Sequence, residues 1–416
     1  MRFASALTRR QLLGSTAALA FAQERRPNVL VFMTDQESAL LPGLAELPNR
    51  RRIERDGVRF TLAFSNTPQC SAARSSLLTG LEPHQTGVRT NVDESSLGKP
   101  LSPAIPNVGS VFAAAGYRTG YFGKWHLGGV REQFGFGSIG REQPDGEVAR
   151  EAAAWIAQQK APWLAWVSVL NPHNIYSIPR VLETIRPRAG VRPPASDLSN
   201  LAVKPAEQQA YVDRDQGRQT RGFTPEDWLR YRTYYLELVE KADANLGTVL
   251  DAVPDLDSTI VVYTSDHGDA LGEHGLPYKG PFMYEEETRI PLTIRAPGRM
   301  PPGERTDLVV QADLAPTLAG LCGVRWPGRV TGRNLAAGGA PRDAVFLEYY
   351  AKQKWVNPIR TIRGGRWKLN WYDSGHQELY DLRADPHEIH NLAAEAAARD
   401  VKADLERRLD AWRGKQ

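Results

Sequence analysis

The chain has 416 residues, of which 41% are hydrophobic and 24% are charged, and its formal net charge is +4. This composition excludes an intrinsically disordered chain, and the length predicts one large domain with a smaller one. Three arginines and no acidic residue lie in the first 22 residues, so the rest of the chain carries a net charge of about +1. A nearly neutral protein gives no electrostatic reason to expect a nucleic-acid partner.

Residues 1–22 have the features of an export signal. Arg9 and Arg10 precede an apolar stretch over residues 12–22 that is too short to span a bilayer. Paired arginines are typical of twin-arginine signals, which export folded proteins, and an ordinary secretory signal or an uncleaved anchor is the alternative. We therefore predict export to the periplasm or the extracellular space, with no membrane span in the mature chain.

Alternating apolar patterns predict strands and helices in turn. The predicted buried strands are residues 28–35, 163–170 and 259–266, and the predicted helices are residues 108–115 and 227–252. This alternation predicts an α/β domain with a mostly parallel sheet flanked by helices. Residues 177–222, rich in Pro, Arg, Gln and Asp, indicate a surface excursion rather than a domain.

The pattern changes near residue 345. Short strands are predicted at residues 345–350, 359–363 and 367–371, followed by a helix over residues 394–413. These elements predict a small C-terminal α+β subdomain. The predicted organisation is thus an export signal over 1–22, a catalytic domain over 23–344 and the α+β subdomain over 345–416.

Polar side chains follow all three predicted strands. Asp35 and Gln36 follow the first strand along the chain, His173 the second, and Asp266 and His267 the third. One Asp in such a position usually caps a helix or makes a turn. In open α/β sheets, however, ligands bind beyond the carboxyl ends of the strands, so these side chains are expected to meet at one site.

Two short motifs carry a family resemblance. Residues 70–80 are Cys-Ser-Ala-Ala-Arg-Ser-Ser-Leu-Leu-Thr-Gly, and residues 120–128 are Gly-Tyr-Phe-Gly-Lys-Trp-His-Leu-Gly. The first closely resembles a sulfatase signature, in which Cys or Ser is followed four residues later by Arg and Leu-Thr-Gly closes the motif. The second resembles the Gly-Lys-Trp-His signature of the same family. The chain therefore resembles the formylglycine-dependent sulfatases of the alkaline-phosphatase-like superfamily, in order from Pro27 to the C-terminal region.

The resemblance implies an enzyme that hydrolyses a sulfate monoester, either of a carbohydrate or of an aryl alcohol. It implies that a formylglycine-generating enzyme oxidises Cys70 to an aldehyde. In the hydrate, one hydroxyl attacks sulfur and displaces the alcohol, and the other, once deprotonated, expels sulfate. The chain has Ala72 where the common signature has Pro, and we still expect conversion.

Roles for five further residues follow from the resemblance. Arg74 is expected to hold the hydrated aldehyde, and Lys124 to neutralise charge near the hydroxyls and the sulfate. His126 is the expected base for release of sulfate, because a neutral imidazole accepts a proton near neutral pH. His173 and Lys279 match the pair that binds sulfate and protonates the leaving oxygen.

The resemblance also implies a divalent cation. Its expected ligands are Asp35, Gln36, Asp266, His267 and the modified Cys70. An oxygen-rich site favours Ca²⁺. Gln36 and His267 replace the Asp and Asn that are common in the family, which makes the site less anionic and softer, so Mn²⁺ and Mg²⁺ remain alternatives.

Two other functions remain open. Phosphonate monoester and phosphodiester hydrolases of the same superfamily often carry the same Asp-Gln and Asp-His pairs. A non-catalytic binder of sulfated glycans is the second alternative, against which the complete set of site residues argues. A thiol phosphatase is excluded, because it needs Arg six residues after the Cys, where this chain has Ser76. The natural substrate is left open.

Overall fold

The computed structural model describes residues 26–92, 98–160, 162–352 and 355–414. The predicted export signal lies outside these residues. Within them the chain forms an eight-stranded sheet and a four-stranded sheet. The strands of the larger sheet are β1 (Asn28–Asp35), β2 (Val58–Phe64), β3 (Arg118–Gly123), β4 (Ser138–Ile139), β5 (Trp163–Pro172), β6 (Thr259–Ser265), β7 (Leu292–Arg295) and β8 (Gly303–Val310).

The larger sheet is mostly parallel, as predicted. Its strand order is β4-β3-β5-β1-β6-β7-β2-β8. Within this sheet only β7 runs antiparallel to its neighbours, pairing with β6 and β2. The central strand β1 lies between two parallel partners, β5 and β6. The three predicted strands are therefore adjacent, and their carboxyl ends share one edge of the sheet.

Helices cover both faces of the larger sheet. The helices of the described chain are α1 (Pro48–Arg55), α2 (Cys70–Thr79), α3 (Pro83–Thr86), α4 (Val108–Ala114), α5 (Asp145–Ala157), α6 (Ile178–Val181), α7 (Ala206–Arg214), α8 (Pro225–Asp251), α9 (Glu285–Thr288), α10 (Leu314–Leu321) and α11 (Arg399–Arg413). Val29 and Val31 of β1 share a core with α2, α4 and α10, whereas Leu30 and Phe32 share one with α1, α5 and α8. Both faces of β1 are buried, which explains its continuous apolar run. No helix in the described ranges combines the length and the hydropathy needed to cross a bilayer.

The smaller sheet is antiparallel, in the order β12-β11-β10-β9. Its strands are β9 (Ala344–Lys352), β10 (Trp355–Gly364), β11 (Trp367–Tyr372) and β12 (Gln377–Asp381). Leu405 and Leu409 of α11 pack on this sheet. The predicted C-terminal α+β architecture is confirmed, with β12 as an unpredicted strand. The domain limits at residues 22 and 344 stay predictions.

The segment over residues 177–222 differs from the predicted surface excursion. It includes α6 and α7, and Tyr211 on α7 is fully buried against Phe282. Gln208 is also fully buried: it accepts a hydrogen bond from Tyr284 (2.8 Å) and donates one to Glu378 of β12 (3.1 Å). The segment is therefore a packed layer that reaches the smaller sheet, and its buried polar partners explain why apolar periodicity did not predict it.

Candidate active site

Cys70 lies at the first position of α2, beyond the carboxyl edge of β1, β5 and β6. All ten residues of this helix are buried, which small Ser and Ala side chains permit. The helix ends at Gly80, whose φ of +70° is a left-handed conformation favoured by glycine. The signature motif thus encodes a short buried helix with its first turn, and the partial positive charge of that turn, at Cys70.

The sulfur of Cys70 is surrounded by nitrogen atoms. Its Sγ lies 3.2 Å from Nε2 of His267, 3.2 Å from Nζ of Lys279 and 3.6 Å from Nζ of Lys124, with Oδ1 of Asp35 at 3.8 Å. Burial and Asp35 raise the pKa of the Cys70 thiol, but the two lysines and His267 outweigh them and hold it well below its ordinary value. The surroundings of residue 70 therefore stabilise a negative charge on its side chain.

Arg74 holds the two strand-end carboxylates. Its Nη2 donates to Oδ2 of Asp35 (2.7 Å) and its Nε to Oδ2 of Asp266 (2.9 Å). Its Nη1 donates to the carbonyl of Lys124 (2.7 Å) and to Oγ of Ser168 (2.9 Å). Among the described residues, the hydrogen bonds of Arg74 go to these groups, and its expected contact with the hydrated aldehyde stays a prediction.

Four side chains form a cluster that fits a divalent cation. Asp35, Cys70, Asp266 and His267 each offer a ligand atom, and these atoms lie within 4.8 Å of one another. Nδ1 of His267 lies 2.9 Å from the carbonyl of Gly268, and a carbonyl only accepts, so Nδ1 carries a proton and Nε2 is the ring nitrogen that faces the cluster. Two carboxylates and an imidazole suit Ca²⁺ or Mn²⁺.

Gln36, the remaining predicted ligand, lies beside this cluster and has a left-handed backbone conformation with φ of +73°. That conformation costs a non-glycine residue about 1 kcal/mol. Two hydrogen bonds hold it: the Gln36 N–H donates to Asp266 (3.0 Å), and its carbonyl accepts from the Tyr235 hydroxyl (2.7 Å). The side-chain Oε1 accepts from Lys279 (2.9 Å), which places it beside Cys70.

His173 and Lys279 line a small cavity of about 170 Å³ beside the cluster, together with Tyr176. The His173 ring lies 4.8 Å from that of Tyr176. Burial, followed by the charge of Lys124, lowers the pKa of His173 to about 3, so its imidazole is neutral at pH 7 in the free protein. Burial lowers the pKa of Lys279, but the negative groups of the site outweigh it and raise that pKa.

His126 contacts α2 and lines a groove beside Lys124. It also has a left-handed backbone, with φ of +57°, and its carbonyl accepts a hydrogen bond from Ser71 of α2 (2.5 Å). Its buried Nδ1 has no hydrogen-bond partner in the described part of the chain. With Lys124, it lines a groove of about 1180 Å³.

Sequence reasoning missed three residues that support the cluster. Ser168 lies within a predicted strand and binds Arg74. Asp269 accepts a hydrogen bond from Nε2 of Gln36 (2.8 Å), and the Tyr231 hydroxyl donates to Asp269 (2.9 Å). The signal for Asp269 was its place three residues after Asp266, whereas nothing in the sequence indicates that Tyr231, on α8, reaches the site.

Comparison with known proteins decides the family. The sulfatase family model matches residues 27–324, which include every residue of the cluster. The chain belongs to the sulfatase family. A second model, the C-terminal region of N-sulphoglucosamine sulphohydrolase, matches residues 272–415 of this sulfatase. The predicted fold class and enzyme class are confirmed, and the protein is a sulfuric ester hydrolase.

Individual relatives agree with this assignment. The sulfatase is 29% identical to a Delta 4,5-hexuronate-2-O-sulfatase of Bacteroides thetaiotaomicron, over 96% of this chain and 91% of that one. It is 25% identical to the solved structure of a 2-O GAG sulfatase, with a TM-score of 0.84 and coverage of 94% and 92%. It shares the fold of the phosphonate monoester hydrolase of Agrobacterium radiobacter, with 23% identity, a TM-score of 0.80 and coverage of 94% and 96%.

Proposed function

We propose that this sulfatase removes sulfate from a sulfated carbohydrate, through a formylglycine derived from Cys70 and a divalent cation. The observation that carries the proposal is the cage around Cys70 Sγ, where His267, Lys124 and Lys279 lie within 3.6 Å. A hydrated formylglycine supplies two hydroxyl groups on one carbon at this position. The cationic surroundings favour an ionised hydroxyl and stabilise the charge that develops on sulfate oxygens.

Asp35, Gln36, Asp266 and His267 are the proposed metal ligands, with the modified Cys70. The bound cation would lower the pKa of the attacking hydroxyl and draw charge from the sulfate. Ca²⁺ is the first choice, with Mn²⁺ and Mg²⁺ as alternatives. Asp35→Ala and Asp266→Ala should both lose the metal while the protein still folds, as measured by metal content and by circular dichroism. Retention of metal and rate by either variant would contradict this ligand set.

The remaining residues take separate roles in the proposal. Lys124 and Lys279 bind the sulfate from two sides of Cys70. His173, in the small cavity with Lys279, serves departure of the alcohol, and His126 serves the release of sulfate. Arg74 acts by fixing Oδ2 of both carboxylates, which leaves their Oδ1 atoms directed toward His267 and Cys70.

The groove beside Lys124 supports a carbohydrate substrate over a small aryl sulfate. Its volume of about 1180 Å³ exceeds what a single small ligand fills. Amide and charged side chains that can bind sugar hydroxyls line it, namely Arg131, Glu142, Gln143, Asn171, Asn174, Lys241 and Asn245. A similar sequence and a similar solved structure are each named as a 2-O-sulfatase. A screen of sulfated mono- and oligosaccharides tests the proposal, and turnover of 4-nitrophenyl sulfate with no turnover of any sulfated sugar would contradict it.

Phosphonate monoester or phosphodiester hydrolysis is the second candidate. The shared fold with a phosphonate monoester hydrolase and the Gln36 and His267 ligand pair favour it. The two activities are separated by comparing kcat/KM for 4-nitrophenyl sulfate with that for 4-nitrophenyl phenylphosphonate. We expect the sulfate to be preferred, and a preference for the phosphonate would assign the second candidate.

The site also requires maturation. We propose that a formylglycine-generating enzyme acts on the residue 70 motif, and that the chain is exported to the periplasm or the extracellular space. The support for export is the twin-arginine motif within residues 1–22. Replacing Arg9 and Arg10 by lysine should retain the protein in the cytoplasm, as measured by fractionation. Unchanged export would exclude the twin-arginine route.

A further inference from the structure

The side-chain amide of Gln36 can face in two directions, and its neighbours select one. Its Nε2 donates to Oδ2 of Asp269 (2.8 Å), while its Oε1 accepts from Nζ of Lys279 (2.9 Å). Turning the amide over would set its NH₂ group against the Lys279 ammonium and its oxygen against a carboxylate. The Oε1 atom is therefore held on the side of Cys70, which Lys279 also contacts.

In the described part of the chain, Asp269 acts only as a hydrogen-bond acceptor. Its Oδ1 accepts from the N–H of Leu271 (2.8 Å) and from the Tyr231 hydroxyl (2.9 Å), and its Oδ2 accepts from Gln36 (2.8 Å) and at a longer distance from Tyr231 (3.1 Å). The Tyr231 oxygen itself accepts from the N–H of Tyr278 (3.1 Å), so the hydroxyl hydrogen points to Asp269. Asp269 is fully buried. A carboxylate can accept all of these hydrogen bonds through its two oxygens, whereas an amide would place its NH₂ group against one of the donors.

We infer that Asp269 is a positioning residue that directs Oε1 of Gln36 toward the cation. The inference rests on the proposed metal site. An amide binds a cation through its oxygen alone, so a reversed Gln36 would present N–H groups and lose a ligand. A carboxylate at position 36 would present oxygen in either orientation. The need for Asp269 thus follows from the amide that this chain has as a ligand.

The Asp269→Asn variant tests this role. Its oxygen can still accept from Leu271 and Tyr231, which directs its NH₂ group at Nε2 of Gln36. Two facing NH₂ groups favour reversal of the Gln36 amide. In calorimetric titration of metal-stripped protein with Ca²⁺, and separately with Mn²⁺, affinity should fall roughly 10–100-fold, the usual effect of removing the group that orients a ligand.

The same substitution should have the opposite effect in a Gln36→Glu background. Glu is isosteric with Gln, so in the Gln36→Glu variant two carboxylates face each other across the position of the present hydrogen bond. Adding Asp269→Asn replaces that repulsion by an amide donor facing a carboxylate. Metal affinity should therefore rise on going from Gln36→Glu to the double variant. A merely structural role for Asp269 predicts a fall, or no change, in both backgrounds.

A matched control separates positioning from stability. Asp243 is also buried and accepts backbone hydrogen bonds from Asn49 (3.0 Å) and Arg50 (2.7 Å), and none of its described hydrogen bonds goes to the cluster. Asp243→Asn should lower the thermal midpoint without changing metal affinity. If Asp269→Asn alone fails to fold, the comparison of Gln36→Glu with the double variant still shows whether Asp269→Asn raises or lowers metal affinity.

The outcomes distinguish the inference from the metal site on which it rests. Asp35→Ala should abolish Ca²⁺ and Mn²⁺ binding. Unchanged binding in that variant would overturn both the metal site and the inference. Loss of binding in Asp35→Ala, together with effects of Asp269→Asn that have the same sign in both backgrounds, would overturn the inference alone.

Discussion

His126 and His173 have different surroundings, although their motifs suggest two comparable histidines beside Cys70. His173 lines the small cavity with Lys279, and burial and then Lys124 lower its pKa to about 3. His126 lines the large groove, and its buried Nδ1 is without a hydrogen-bond partner in the described ranges. The two side chains therefore line different cavities, and Asn171 and Asn174, which flank His173 in the sequence, also line the large groove.

Single-turnover chemistry should separate these roles. General acid–base groups contribute roughly 10²–10⁴-fold to a rate. His126→Ala should leave the first turnover intact and slow release, so sulfate accumulates on the residue 70 peptide. His173→Ala should slow the first step, most strongly for alkyl sulfates, whose leaving groups need a proton. Rapid quenching with mass analysis measures both, and the absence of sulfated peptide in His126→Ala would contradict the first role.

Sulfate esters with different leaving groups test the role of His173. In His173→Ala, aryl sulfates with acidic phenols should be nearly unaffected, because these phenols depart as anions. Equal slowing of aryl and alkyl sulfates would contradict the role of His173. Since the pKa of His173 is about 3 in the free protein, only a small fraction carries the proton that the alcohol needs, so kcat/KM for alkyl sulfates should fall as the pH rises from 5 to 8, and His173→Ala should remove that dependence.

The sequence predicted that side chains at the strand ends lie close together, but it did not predict their contacts. Asp35 and Asp266 were predicted because each ends an apolar strand, and neighbouring parallel strands end at one edge. The contacts of Arg74 depend instead on where the guanidinium of a buried helix points, which a motif does not state. The described partners are the two carboxylates, the carbonyl of Lys124 and the hydroxyl of Ser168.

At the scale of elements, α5 holds the end of β5 from which the His173 turn departs. Asp145 at the start of α5 accepts hydrogen bonds from the N–H groups of Leu170 (2.6 Å) and Asn171 (2.8 Å). It is 8% exposed, so its removal leaves two backbone donors with little access to water. The geometry of His173 therefore depends on a helix that carries no catalytic group.

Asp145→Ala should destabilise the protein by about 2 kcal/mol or more, and should also lower kcat/KM. Asp145→Asn, which keeps one oxygen acceptor, should be intermediate. The matched control is Glu147→Ala in the same helix, whose side chain is 53% exposed and pairs with Arg150. That change should cost less than about 1 kcal/mol. Thermal denaturation measures all three, and equal effects of Asp145→Ala and Glu147→Ala would contradict the account.

The packed segment over residues 177–222 shows why one class of element resists prediction. Its contacts with the rest of the protein include buried polar side chains such as Gln208, whose partners Tyr284 and Glu378 lie far along the chain. Helical periodicity detects apolar faces, and α7 has only a weak one. In contrast, α8 was predicted to within two residues, because its apolar face is long and Thr224 and Asp227 form a capping box.

At the scale of the whole molecule, a buried ion network joins α9 to the smaller sheet. Glu285 pairs with Arg363 (3.0 Å) and Lys368 (3.3 Å), and Lys368 also pairs with Glu388 (2.8 Å). Burial raises the pKa of Glu285, but Arg363 and Lys368 outweigh burial and lower it to about 2. The network holds the smaller sheet beside the site. A sequence motif could not predict these pairs, because their members lie far apart along the chain.

This network gives a pH-dependent prediction. Because the pKa of Glu285 is depressed from its ordinary value of 4.5, its ionic contribution is complete above pH 4.5 and is lost as the pH falls toward 2. Glu285→Gln removes the carboxylate that pairs with the buried Arg363, while Lys368 keeps Glu388, and should cost about 3 kcal/mol at pH 7, with a smaller difference from the parent at pH 3. Glu304→Gln, at an exposed pair with Arg59, is the control. A difference that grows on acidification would contradict this assignment.

The central claim is that Cys70 works as formylglycine within its cationic cage. Mass analysis of the tryptic peptide over residues 60–74 measures it directly in active enzyme, with Cys70→Ala as the inactive control. We predict the mass of the aldehyde or its hydrate, and sulfatase activity that rises in proportion to the converted fraction. Full activity in a preparation whose peptide retains an intact thiol would contradict the account.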